Sequence, residues 1–428
     1  MFDHRLSRPQ AITLAVLAGV SLSITWLYLS QTFPPSLKGG GDLRVFLAAA
    51  KLLREHRSPY NGQALTLLMQ SLDRALGKSA VSSGFEYLPF VGLLLLPMAG
   101  LSFHAAFIVA DLLSIIAVVW SVDRWRAWLA PELPRALVLF GAMVSAPVAF
   151  TLFDGKLDGI MFLGFTLCAL LYRRRQWVTL GVLVALTTML KPQALFLLPF
   201  AYLVLSVQTR KSVTRYLAGG LATVALSCAA VSLYDLQLWG QWWHYLPTFS
   251  SSLNSLQLDS AGFTGFTRYL GLGLGFHDPL VWLILLCGLL FSGWWLWHSL
   301  KVGRADQWPR RWLEVVGVAT VLNIAISPYV HNGELILFIP LLLWLLHRHA
   351  LPAWYLWLML FLFQTTQLIE LPLSVAFQKS VSTSPIVTLL VLLATLSLRR
   401  PTQERDSSPP LKETLVEIGG RSPASRVG

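Results

Sequence analysis

Apolar runs of roughly fifteen to twenty-odd residues follow one another along this chain almost without a break. A run of that length matches one crossing of a bilayer better than an element of a soluble core. Such runs fall at roughly 11–30, 103–122, 135–153, 158–172, 176–190, 192–207, 213–233, 278–300, 311–327, 333–347, 351–371 and 384–398. Composition agrees: with 55% hydrophobic and 13% charged residues in 428, the chain has too few polar side chains to cover a water-facing surface. Its solvent is lipid, and its 17 Trp and 23 Phe suit the two membrane interfaces. The net charge of +12 belongs to loops that orient the spans, since no water-soluble segment interleaves basic and aromatic residues as a nucleic-acid binder would. Cys168, Cys228 and Cys287 sit inside apolar runs without CxxC spacing and read as packing residues.

A further run from Phe85, FEYLPFVGLLLLPMAGL, decides the topology. If it lies in the interface or dips in and out, the basic groups all share the side of the basic N-terminus. These are Arg124 and Arg126 with Arg135, the triplet Arg173 to Arg175, Arg210 with Lys211 and Arg215, Lys301 to Arg311, Arg348, and Arg399 with Arg400. If it crosses, every later cluster falls outside, against the enrichment of Lys and Arg in cytoplasmic loops. The first reading gives an all-α polytopic membrane protein of about twelve spans with both termini cytoplasmic. Residues 1–30 hold the N-terminus and an uncleaved first span, and 31–102 form a long extracytoplasmic loop. A bundle of about eleven helices fills 103–400, and 401–428 is a polar, Pro/Ser-rich cytoplasmic tail expected to be disordered. Within the loop, DLRVFLAAAKLLREHR and QALTLLMQSLDRAL carry apolar residues at helical spacing, the pattern of amphipathic helices lying along a membrane surface.

This topology collects polar residues on the outer face: the turn Asp154 to Asp158, the stretch Leu190 to Gln193, and Ser327 to Glu334. Ionisable groups at membrane depth are expensive, so a one-sided collection marks a functional site, although each alone also reads as a helix cap or a snorkelling side chain. An enzyme on that face has no nucleotide supply and needs an activated substrate delivered on lipid, such as a sugar linked to polyprenyl phosphate. Transfer to a hydroxyl requires a carboxylate to accept its proton and cationic donors to stabilise the departing phosphate. Asp42, behind the glycines of GGGDLR and just past the first span, is placed both to cap a helix and to be that base. Lys191, Arg268 and His331 are the candidates for the phosphate, with Lys156 and Arg44 behind them. Lys191 also reads as a snorkelling lysine ahead of Pro192, and Arg268 as an interfacial anchor. No metal-ligand spacing is apparent.

Five stretches resemble glycosyltransferase family 87 of the GT-C superfamily: GGDLRVFLAAAKLLREHRSPYNG, FEYLPFVGLLLLPMAGL, LFDGKLDGIMFLGFTLCALL, LTTMLKPQALFLLPF and AISPYVHNGELILFIPLLL. LDSAGFTGFTRYLG, which holds Arg268, is a looser match. Lys156 stands where the family usually has Gln, and Gly333 with Glu334 replaces a more typical aromatic end. The resemblance implies a GT-C fold and an inverting transfer with Asp42 as base and Lys191, Arg268 and His331 at the lipid phosphate. The matching stretches add Tyr60, Glu86, Tyr87, Asp158, Gln193, Asn332 and Glu334 to the pocket. The implied reaction moves a hexose or pentose, mannose first among them, from a polyprenyl-phosphate donor to a lipid or glycan hydroxyl. It needs membrane lipids but no cofactor or nucleic acid, and its expected place is the outer face of a bacterial plasma membrane. The alternative from the residues is a transporter or flippase of lipid-linked sugar, which would bind near the bilayer midplane rather than at outer helix ends. A catalytically silent relative that only binds such a lipid is a third reading.

Overall fold

The computed structural model of the chain describes residues 41–76, 84–191, 200–201, 204–205, 208–256 and 332–348, with short stretches between 279 and 294 and between 354 and 363. Among these residues the protein is helical, with no strand. Among the described residues two helices are long and apolar enough to cross a membrane, Phe103–Leu129 and Arg210–Tyr234, with a third if the bent pair Arg135–Met143 and Ala146–Asp154 is one span. The expected runs at 11–30, 311–327 and 384–398 lie outside the described residues, and those at 192–207, 278–300 and 351–371 largely do.

The helices are α1 (Gly41–Arg54), α2 (Gly62–Leu76), α3 (Pro89–Leu95) with a 3-10 helix at Leu96–Gly100, α4 (Phe103–Leu129), α5 (Arg135–Met143) and α6 (Ala146–Asp154). Then come α7 (Asp158–Arg173), α8 (Trp177–Leu190), α9 (Arg210–Tyr234) and α10 (Gln237–Leu256), and finally a 3-10 helix at Asn332–Phe338 that leads into α11 (Ile339–Arg348).

Helix α4 starts where Ser102 accepts from the Ala105 N–H at 3.2 Å, and its 27 residues reach about 40 Å, more than the apolar thickness of a bilayer. One face turns Ser114, Ala117, Ser121 and Trp125 inward, while Ile108, Leu112, Leu113 and Ile116 face out as lipid-contacting residues should. Among the inward groups, Trp125 Nε1 donates to Thr166 Oγ1 at 2.8 Å, joining α4 to α7. Helices α8 and α9 cross closely because small residues meet there. A methyl group at Gly219 would run into the Val178 carbonyl, and one at Gly181 into that of Tyr216. Such contacts let helices gain packing energy where burial from water supplies none. Lipid-facing Leu217, Leu221, Leu226 and Leu233 occupy the other side of α9.

The run 135–153 reads as one helix but folds as two, with a bend of 54° between α5 and α6. Pro147 sits in the first turn of α6, where its missing N–H is harmless but a continuous helix would push its ring against the preceding turn. Ser145 donates to the Ala142 carbonyl at 2.6 Å and closes the end of α5.

The segment N-terminal to α4 also differs from its sequence pattern. Helix α1 is not a surface helix with one open face, because its residues from Val45 to Ala50 are all buried. Ala48, Ala49 and Ala50 are short enough for α2, α3 and the Leu96–Gly100 helix to pack around it. Lys51 points its Nζ at the Ala99 and Leu101 carbonyls, at 3.2 and 3.4 Å, satisfying the open end of that 3-10 helix. Together α3 and the 3-10 helix span 89–100, too short to traverse the hydrocarbon region.

Candidate functional site

Helix α6 stops at Gly155, whose φ of 65° is the left-handed conformation that glycine adopts without strain. The Lys156 N–H donates back to the Thr151 carbonyl at 2.9 Å, and α7 begins at Asp158. This turn packs Asp154, Lys156 and Asp158 into five residues. Lys156 is buried, with Nζ 3.7 Å from Asp154 Oδ2 and 4.1 Å from the centre of the Phe150 ring. Asp158 is only 1% exposed, and its Oδ1 accepts from Lys191 Nζ at 2.8 Å while Oδ2 has no hydrogen-bond partner.

Lys191 follows the last residue of α8, and its ammonium also pairs with Glu334 in the Asn332–Phe338 helix. One lysine therefore ties together the start of α7, the end of α8 and a segment more than a hundred residues later. Gly333 makes this approach possible, since a methyl group there would run into Asp158 Oδ2 and lie 3.1 Å from Thr151 Oγ1.

Asp42 occupies the first turn of α1 and is half-buried. A methyl group at Gly41 would lie 3.3 Å from Asp154 Oδ1, so the glycine before Asp42 lets α1 begin against the 154–158 turn. Asp42 raises the proton affinity of Lys156 and Glu86, which places all three within one electrostatic neighbourhood. Glu86 precedes α3 between two buried rings, Phe85 and Tyr87. The Tyr87 ring meets Phe46 of α1 edge-on at 5.0 Å, and its carbonyl accepts from the Tyr60 hydroxyl at 2.8 Å.

Five carboxylates thus face two ammonium groups. Burial with the charge of Asp42 pushes Glu86 up to about 8. For Lys156 and Lys191 burial works against the charge, but the surrounding carboxylates outweigh it and hold both lysines above their usual range. Lys191 is committed to two close carboxylates, whereas Lys156 has a looser contact. Among the described residues no group of three or more His, Cys, Asp or Glu side chains is arranged to hold a metal ion.

Of the residues singled out in the sequence, Asp42, Glu86, Lys156, Asp158, Lys191 and Glu334 therefore come together. Tyr60 is buried beneath Tyr87, and the Arg44 guanidinium lies 5.4 Å from the centre of the Phe103 ring. Gln193, Arg268 and His331 lie outside the described residues, as does the side chain of Asn332. Asp154 was not among the sequence candidates, although its signal was present: three charges at alternate positions around a glycine turn.

Compared with known proteins, residues 85–328 of the chain match glycosyltransferase family 87. That stretch holds Glu86, the 154–158 turn and Lys191, while Asp42 and Glu334 reach the same cluster from either side of it. No curated protein matches the chain. The match covers more than half of the sequence, and the chain belongs to glycosyltransferase family 87, a GT-C type family of membrane glycosyltransferases.

Proposed function

We propose that the protein transfers a sugar from a polyprenyl-phosphate donor to a lipid or glycan hydroxyl at the extracytoplasmic face of a bacterial plasma membrane, with inversion at the anomeric carbon. The observation that carries this reading is the convergence of Asp42 with Lys156 and Lys191 at one end of the helices. That end is opposite the arginines. Arg126 lies in the last turn of α4, Arg135 opens α5 beside Asp123 at 2.8 Å, Arg173 ends α7 and Arg210 opens α9. Asp154, Asp158 and Lys191 lie at the other ends of α6, α7 and α8. Arginine-rich ends belong to the cytoplasm, so the cluster faces outward.

In this reaction the Asp42 carboxylate accepts the proton of the acceptor hydroxyl as its oxygen bonds to the anomeric carbon. The bond from that carbon to the phosphate oxygen breaks on the opposite side, and the lipid phosphate departs with the electron pair. Lys156, with Lys191, Arg268 and His331, stabilises the growing charge on the phosphate. Mannose is the first sugar to test.

Purified protein incubated with radiolabelled polyprenyl-phosphate sugars and a membrane lipid extract should move label from one donor into a new product. A protein that binds or translocates these donors and transfers no label would instead be a carrier.

A further inference from the structure

Glu86 is the carboxyl of the cluster whose surroundings are most specific. Phe85 and Tyr87 on either side of it are buried, their rings 5.6 Å apart, and the Tyr87 phenol lies within reach of the Glu86 charge as well as that of Asp42. Phe46, Tyr60 and the Tyr60 bond to the Tyr87 carbonyl fix this stretch from beneath. The carboxyl is therefore held, not trailing. It faces Asp42 from α1, Lys156 from the 154–158 turn, Lys191 beyond α8, Glu334 from the Asn332–Phe338 helix and Tyr245 from α10. Neither lysine pairs with it in the way that Lys191 pairs with Asp158 and Glu334. Its Oε2 is sealed from solvent without a hydrogen-bond partner, although the residue as a whole is only half-buried. An orphaned polar atom of this kind is costly unless a ligand supplies the missing bond.

We propose that Glu86 is an acceptor-binding residue, its carboxyl bonding a hydroxyl of the acceptor next to the one that Asp42 deprotonates. The inference rests on Asp42 being the base: Asp42 is the charge that acts most strongly on Glu86, and a group beside the base faces the acceptor. Rotation about the terminal torsion, which is broad and two-fold, brings either oxygen to the ligand. Burial and Asp42 keep a proton on Glu86 near neutrality. The side chain therefore offers one O–H donor and one carbonyl acceptor, which suits a polyol with neighbouring hydroxyls and avoids a second anion beside the base. Above about pH 8 the proton leaves, the donor is lost, and acceptor binding weakens.

The test uses full-length protein in detergent, with n-octyl α-mannoside as the acceptor probe and polyprenyl-phosphate mannose as the donor, from about pH 6 to about pH 9. Glu86→Ala should raise KM for the octyl mannoside by about tenfold or more and leave KM for the donor unchanged. Glu86→Gln, which keeps the shape and cannot ionise, should stay within about threefold of wild type near pH 6 and lose the alkaline rise in KM. Should Glu86→Ala not fold, the Glu86→Gln pH profile decides alone. The proposal is overturned if Glu86→Gln is as impaired as the alanine variant, or if the donor KM moves instead. Equilibrium binding of octyl mannoside to wild type and to Glu86→Gln at the two pH extremes separates this inference from the transferase reading. Wild-type binding that weakens at alkaline pH, with Glu86→Gln binding that does not, sustains the inference even where no transfer occurs. Identical pH dependence in both sinks it.

Discussion

Replacing Lys191 with methionine removes the ammonium and keeps most of the side-chain volume. Its Nζ pairs with Asp158 at 2.8 Å and with Glu334, and Lys191, Asp158 and Glu334 are only 5%, 1% and 6% exposed. Without the lysine, two carboxylates are left facing each other away from water. Removing one partner of a buried ion pair costs about 3–5 kcal/mol, and a charge pair about 4 Å apart at an effective dielectric of 20 interacts by about 4 kcal/mol. Lys191→Met should therefore be destabilised by about 3–5 kcal/mol. Adding Asp158→Asn and Glu334→Gln removes the uncompensated charges, leaving a loss of about 1–3 kcal/mol for imperfect hydrogen bonding. Thermal unfolding of the purified chains in one detergent at one scan rate reads the order: wild type highest, the triple variant between, Lys191→Met lowest. Equal melting of wild type and Lys191→Met would refute the reasoning, and so would a triple variant that melts below the single one.

Other substitutions probe the geometry around this network. Gly155→Ala places a side chain at φ 65° and against Leu43 Cβ, so it should lower stability by at least about 1–2 kcal/mol in the same melting assay. Gly219→Leu forces α8 and α9 apart and should melt well below wild type, whereas Leu221→Ala on the lipid-facing side should change melting little. Tyr60→Phe removes the buried bond to the Tyr87 carbonyl and should cost about 1 kcal/mol. Glu86 titrates at about 8 in the fold against an ordinary 4.5, so the folded chain binds its proton more tightly. Its contribution to stability is complete below about pH 4.5 and is lost as pH rises through about 8. Melting temperature should therefore fall between about pH 6 and about pH 9 in wild type and fall less in Glu86→Gln.

The sequence disclosed the helical class and the distribution of charge more readily than it disclosed contacts. Apolar run length identified α4 and α9, and basic residues marked one end of α4, α5, α7 and α9, because both signals are local or additive along the chain. The bend between α5 and α6 was less visible, since Pro147 lies in an otherwise continuous apolar run and its effect depends on the turn before it. Helix α1 read as amphipathic, yet burial all round follows from neighbours that pack onto Ala48 to Ala50, which no period within the helix encodes. Lys191 was legible as an outer-face cation. Its partners were not, because Asp158 is 33 residues away and Glu334 farther still. Asp42 was picked out by its place after the first apolar run and its three glycines. Asp154 joins it through the close approach of Gly41, a contact between residues more than a hundred apart that no local spacing encodes.

The most direct test of the account compares turnover and donor binding in Asp42→Asn. The variant keeps the size and polarity of the side chain in the first turn of α1, and it loses the proton acceptor. Sugar transfer should fall by about a hundredfold or more, while affinity for the polyprenyl-phosphate sugar stays within a few-fold of wild type. Turnover near the wild-type rate in a folded Asp42→Asn protein would contradict the assignment of Asp42 as the base.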